Sequence, residues 1–248
     1  MLTGKGYLSP QPAAQECIPG CAAADSAGVE KLTEACAEFR DEALNLNPEY
    51  APKTVNTDGW EPAQQAWKKL FPAEIVILCF LHAFLKIKDR CRRSKDLLKM
   101  IVEKVWNAYH SDTAAQFSQR IRRMKEWALN FEDNPVKNAV LNLCRKAPKF
   151  RTGLKNPGAH RTSNMADRLM NYQDRVLYAM QYFRGTPESA RLSLRSMALI
   201  RNFHPYGTGT GYYHPDIVSP FHRLNKFVYH ENRLQNFLVA GSMGGWRQ

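Results

Sequence analysis

The chain has 248 residues, 44% of them hydrophobic, and a formal net charge of +12 with a pI near 9.5. That length and apolar content suit one large domain or two small ones, and they exclude fibrous and disordered classes. The charge is uneven: residues 1–60 carry four Lys/Arg against nine Asp/Glu, a net of −5, so the remainder carries a net of +17. So basic a body fits a polyanion partner, most simply nucleic acid, although many soluble proteins are basic without one.

The opening residues, MLTGKGYLSPQP, lack the apolar stretch of a secretory signal. The longest apolar run, Ile75 to Leu85, is interrupted by His82 and is too short to span a bilayer. Six cysteines (Cys17, Cys21, Cys36, Cys79, Cys91, Cys144) follow no repeating spacing. Reduced thiols in a cytosolic protein are the expectation. Cys17 and Cys21 have no second Cys/His pair at finger spacing, so they do not read as half a zinc site.

In chain order, Lys5–Ser9 and Cys17–Ala22 read as two short strands separated by Pro10 and Pro12. Val29 to Leu46 has helical spacing, with Leu32, Ala35, Phe39, Ala43 and Leu46 on one side, and Pro48 and Pro52 close it. Lys53–Thr57 is a β-branched strand that stops at Asp58-Gly59, a turn dipeptide. Pro62 opens a helix through Leu70, and Glu74–Phe80 has the composition of a buried strand. From Ala83 to about Ala147 nearly everything reads as helix, broken near Ser111-Asp112 and Asn134-Pro135, with the basic clusters KIKDRCRRSK, RIRRMK and CRKAPKFR. A polar connector, Arg151 to Ser163, leads to helices from Asn164 to about Phe183 and from Pro187 to Phe203. The tail beyond His204 is rich in Gly, Pro, Tyr and His and reads as irregular. Its GTGTG lacks the strand, helix and Lys of a phosphate loop.

Four features can carry chemistry, and each has an ordinary structural reading beside it. Asp58 stands where α/β sheets place ligands, at the carboxyl end of a strand, and equally where turn chemistry wants an Asp. Asp167 falls on a helical first turn: with Asn164 as N-cap it forms a capping-box-like pair, or it is a rigid carboxylate for a metal. Cys79-x-x-His82 lacks the second half of a zinc site, so a buried thiol and a hydrogen-bonded imidazole are its structural reading. Lys86, Arg90 and Arg93 at i, i+4 and i+7 share a helix face, which is either solvated or tracks phosphates.

Together these residues resemble the DDE transposases of bacterial insertion sequences, in particular the Mutator-like branch. VNTDGWEPAQQAWKKLFPAEIVILCFLH is similar to that branch's second catalytic Asp, followed one strand later by its C-x-x-H signature. HRTSNMADRLM is similar to the T-S-N-x-x-E block that carries the third acid. The likeness runs from about Gly4 to Pro205 and implies an α/β fold: an RNase H-like mixed sheet lacking its first strand, with a large all-helical insertion and C-terminal helices. The implied organisation is a partial core over 1–82, a helical insertion over 83–150, core helices with the third acid over 151–203, and an irregular tail over 204–248.

The resemblance implies Mg²⁺ (or Mn²⁺) held by Asp58 and Asp167, with Cys79 and His82 supporting the site and a 109-residue gap closed by the fold. It further implies DNA strand cleavage and transfer by a homo-oligomer acting on element ends and target. DNA phosphates would be tracked by Lys86, Arg90, Arg93, Arg120, Arg122, Arg123, Arg161 and Arg168. No membrane and no small-molecule substrate are expected, and the place of action is the cytoplasm, at the nucleoid. Two departures matter: no acid precedes Glu16, so the first catalytic Asp has no counterpart, and position 167 is Asp where the family has Glu. The expectation is therefore an N-terminally truncated transposase of little or no activity alone. The alternatives are a non-catalytic DNA-binding remnant that regulates through DNA or mixed oligomers, and a helical adaptor without a DNA role.

Overall fold

The computed structural model describes residues 16–24, 26–91, 94–132, 134–181, 185–207 and 216–242. They form a mostly helical chain with one small parallel sheet. It divides into two compact units: Pro52–Gln64 with Ala73–Ser163, and the stretches up to Ala51, Gln65–Pro72 and from Asn164 onward.

The first unit is built on two short strands, β1 (Thr54–Thr57) and β2 (Ile75–Leu78); between them in the chain runs α2 (Glu61–Leu70), whose residues from Gln65 onward belong to the second unit. They run parallel in the register Thr54↔Ile75 to Thr57↔Leu78. Four helices then follow: α3 (Phe80–Arg90), α4 (Lys95–Tyr109), α5 (Ala114–Leu129) and α6 (Pro135–Arg145). A fifth, α7 (Ala147–Lys155), packs back on β2. The apolar spacing explains the bundle. Phe80, Phe84 and Ile87 of α3, Ile101, Val105 and Ala108 of α4, and Phe117, Ile121, Met124 and Ala128 of α5 each form a stripe at three- and four-residue steps, and all are buried in one core. The helix starts are written into the sequence. Thr113 Oγ1 accepts from Gln116 N–H at 3.1 Å, and Asn134 Oδ1 accepts from Val136 and Lys137 N–H with Pro135 at the first helical position.

The second unit holds α1 (Val29–Leu46), α8 (Asn164–Ala179), α9 (Pro187–Phe203), α10 (Pro220–Asn225) and α11 (Arg233–Ser242). Leu169 and Leu177 of α8 and Ala190, Leu194, Met197 and Ala198 of α9 enclose Ile18 and Cys21. Arg195 of α9 forms ion pairs with Glu38 and Glu42 of α1.

Several expectations need correction. Cys17–Ala22 is not a continuous strand: only isolated bridges stand at Cys17 and Ala24, and between them Asn202 Oδ1 accepts from Ile18 N–H at 2.8 Å while its Nδ2 donates to Ile18 C=O at 2.9 Å, so one buried carboxamide serves the backbone of Ile18. Lys5–Ser9 lies outside the described residues, among which the sheet is one parallel pair of strands. The connector is helical through Lys155 because Phe150 and Leu154 pack into the core. The tail is not irregular throughout, since Pro220–Asn225 and Arg233–Ser242 are helices. Phe203, Phe221 and Ala240 share a small core there.

No helix among the described residues is long and apolar enough to cross a membrane. All six cysteines are free and buried. Burial pushes the Cys17 and Cys36 thiols from 9.0 up to about 12 and the Cys144 thiol up to about 11. A folded state that holds these protons longer than the unfolded chain loses stability as pH climbs. Urea midpoints are therefore expected to fall progressively between about pH 9 and 12 after holding steady below that window. Phe80, enclosed by Tyr109, Phe117 and Phe150, gives a second test: Phe80→Ala is expected to cost about 3–5 kcal/mol in urea denaturation and Phe80→Leu clearly less.

Candidate functional site

The parallel register brings the carboxyl ends of β1 and β2 side by side, and Cys79 N–H extends the ladder by donating to Thr57 C=O at 2.7 Å. Asp58 and Cys79 are thus the first residues past two adjacent strand tips. Asp58 is exposed, and its Oδ1 accepts from Trp60 N–H at 2.9 Å. Gly59 completes this turn at φ +93°, a conformation that costs a side-chain-bearing residue energy. The turn engages Oδ1 and leaves Oδ2 outside the bond, so the turn role and a ligand role are compatible on one carboxylate.

Cys79 occupies the N-cap position of α3, and His82 follows at i+3 on the same helix face. His82 Nδ1 lies 3.2 Å from Cys79 Sγ and 3.2 Å from Ser163 Oγ, and Ser163 N–H donates to Cys79 Sγ at 3.1 Å. One ring nitrogen faces both a thiol and a hydroxyl, so the tautomer of His82 decides which neighbour donates. Cys79 is 1% exposed. With His82 and Ser163 partly buried, the three form a mutually oriented triad.

The return segment makes two further bonds to the strand ends. Phe80 N–H donates to Arg161 C=O at 3.1 Å, capping α3 from outside its own chain segment, and Asn56 Nδ2 donates to His160 C=O at 2.7 Å. Arg161 is partly buried, with its guanidinium 4.4 Å from the Tyr109 ring centroid, and burial lowers its pKa. Gly153 permits this: a Cβ there would stand 3.1 Å from Arg161 Cγ and 3.4 Å from Ile77 Cγ2.

The structure brings Cys79 and His82 together, with Asp58 at the neighbouring tip. Asp167 is partly buried on the first turn of α8 in the other unit. Asn164 is the first residue of α8 rather than its cap, and Ser163, which precedes it, directs its hydroxyl to His82. The expected phosphate-tracking residues separate into two kinds. Lys86, Arg90, Arg122, Arg123 and Arg168 are exposed, and Arg122 is 71% exposed despite a 3.7 Å ion pair to Glu126. Arg120 instead fastens α5 to the end of α4, donating to Asn107 C=O and to Ser111 Oγ, and Arg161 braces Tyr109. Arg93 lies outside the described residues.

Sequence reasoning missed Ser163, Asn56, Gly153 and the carbonyls of His160 and Arg161. Ser163 and the two carbonyls belong to the HRTS residues ahead of Asp167, but more than 75 positions separate them from the strand ends they serve. Among the described residues no three His, Cys, Asp or Glu side chains gather as a metal would need. Comparison with protein-family models, curated proteins and solved structures gives no match.

The triad predicts coupled energetics. Cys79→Ala strands Ser163 N–H and one face of His82, and is expected to cost about 1–3 kcal/mol, against about 0.5–1.5 kcal/mol for Ser163→Ala. A double-mutant cycle by urea denaturation is expected to show roughly 0.5 kcal/mol or more of coupling. Strict additivity would mean the three groups do not act as a unit.

Proposed function

We propose that this chain carries the catalytic-core scaffold of a DDE-type transposase with an RNase H-like arrangement, and that its biochemical role is DNA binding in transposition chemistry. One observation carries this reading. The two blocks that bear the resemblance, VNTDGW…CFLH and HRTSN, are joined by four hydrogen-bonded contacts at the carboxyl ends of a parallel strand pair. Open α/β sheets bind ligands at that edge. A helical adaptor has no need for an exposed carboxylate and a Cys-His-Ser triad at one sheet edge.

Within this reading Asp58 is the second acid and Asp167 the third, and Mg²⁺ or Mn²⁺ is the ion that such oxygen ligands suit. Two acids are assigned, and among the described residues no three His, Cys, Asp or Glu side chains gather around Asp58. No cleavage step follows from these residues alone. The exposed cations Lys86, Arg90, Arg122, Arg123 and Arg168 bind phosphates without reading sequence. An RNase H-like sheet, further copies of the chain on element ends, and action at the nucleoid belong to the same proposal.

The exposed cations, with no three-residue metal group among the described residues, favour a second reading, a non-catalytic regulator that occupies DNA or enters mixed oligomers with a complete transposase. Both readings predict salt-sensitive DNA binding by the purified chain, with no plasmid nicking above background in Mg²⁺ or Mn²⁺. Nicking that Asp58→Ala abolishes would show the chain to be catalytically complete. Binding indifferent to salt would remove the DNA reading altogether.

A further inference from the structure

We infer that the cleft between α3 and α6 seats the phosphodiester backbone of a nucleic-acid strand, gripped by Arg90 from one wall and Arg145 from the other. This deepens the DNA-binding reading above and rests on it only for the identity of the polyanion. The cleft measures about 610 Å³, within the usual range of ligand sites. Its floor is apolar, formed by Pro135, Ala139 and Leu141, while Arg90, Asn138, Asn142 and Arg145 supply its polar lining, and no Asp or Glu among the described residues lines it. On α6 the three polar residues fall at i, i+4 and i+7, so they form one stripe along the helix. Asn142 Oδ1 accepts from Arg145 Nη2 at 2.8 Å, which fixes that guanidinium and leaves the Asn142 amide N–H₂ out of the bond.

The surroundings strengthen the case. Lys146 follows α6 directly, and its pKa is lowered first by burial and then by repulsion from Lys86, Arg145 and Lys149. Four cations from α3, α6 and the start of α7 are therefore close enough to oppose one another. Among the described residues none of the four, nor Arg90, has a carboxylate partner, whereas Arg122 on α5 has Glu126. Uncompensated cations of this density are stabilised by an external polyanion.

A strand fits better than a small anion. The eleven residues of α6 extend about 16 Å, whereas successive phosphates of one DNA strand advance about 3.4 Å along the duplex axis. Several phosphates can therefore lie along the stripe at once, with sugar or base over the apolar floor and bidentate Arg contacts at the rim.

The test uses the full chain, labelled single-stranded and duplex DNA, and fluorescence anisotropy between about 50 and 200 mM salt. Each phosphate contact contributes a slope of roughly 0.9 in log K against log salt, so Arg90→Ala/Arg145→Ala is expected to flatten the slope by about 2 and weaken binding at low salt. Asn138→Asp/Asn142→Asp, which places carboxylates in the cleft on an already solvated stripe, is expected to weaken binding with an unchanged urea midpoint. Preference for the single strand or the duplex identifies the form of backbone the cleft takes. Unchanged affinity and slope in both cleft variants overturn the proposal, as does polyglutamate competing as well as DNA, which would mark an acidic protein partner. If Arg122→Ala/Arg123→Ala lowers binding while the cleft variants do not, the cleft assignment fails and the DNA reading stands. If the unaltered chain shows no salt-dependent binding, both fail.

Discussion

The bond from Phe80 N–H to Arg161 C=O, with its companion from Ser163 N–H to Cys79 Sγ, is the constraint on which the first unit depends. Two four-residue parallel strands are too short to be stable alone, and the first turn of any helix carries backbone N–H groups without intrahelical partners. The return segment answers both problems by capping α3 at the point where β2 ends. It also fixes where the intervening helices must finish. Ser163 lies 84 residues from Cys79, but closing a longer loop adds only slowly to the entropic cost. A five-helix excursion can therefore leave the sheet edge and return, provided α7 packs close to Ile77, which Gly153 allows.

That constraint also shapes the candidate chemistry. Asp58 is held at its strand tip by its own turn, and Cys79 and His82 are held by Ser163, so the sheet edge is organised before any ligand arrives. Preorganisation of this kind is what a metal or phosphate site requires. The basic residues have divided their labour on similar grounds. Arg120 and Arg161 spend their guanidinium groups on a helix end and an aromatic ring, where carbonyls and a π-face need a donor. Other cations stay at the surface, among them Lys86 and Arg90 of α3, Arg145 of α6 and Lys149 of α7.

Much of the helical architecture was legible in the sequence. Val29–Leu46 and Pro187–Phe203 match their spacing because apolar periodicity and flanking Pro or Thr are local signals. The short strand after Lys53 was legible for the same reason, and so was the Asp-Gly turn that ends it. The segment around Cys17 reads only in part, because its apolar composition suits any buried extended chain, and the carboxamide that serves Ile18 belongs to Asn202, 184 residues distant. The Ser219-Pro220 helix start was equally local, yet a six-residue helix offers too few turns for periodicity to show.

At the candidate site the division is sharper. The sequence by itself determined which residues could act: an acid after a β-branched strand, a thiol and imidazole one helical turn apart, cations at helical spacing. These follow from the periods of strand and helix, which are set over a few residues. Only the tertiary structure decided that Ser163 completes the Cys79–His82 pair, that Arg161 and Arg120 turn inward, and that Arg90 faces Arg145 across a cleft. Each of those depends on contacts between residues far apart in the chain, and no local period encodes which distant donor will reach a given acceptor.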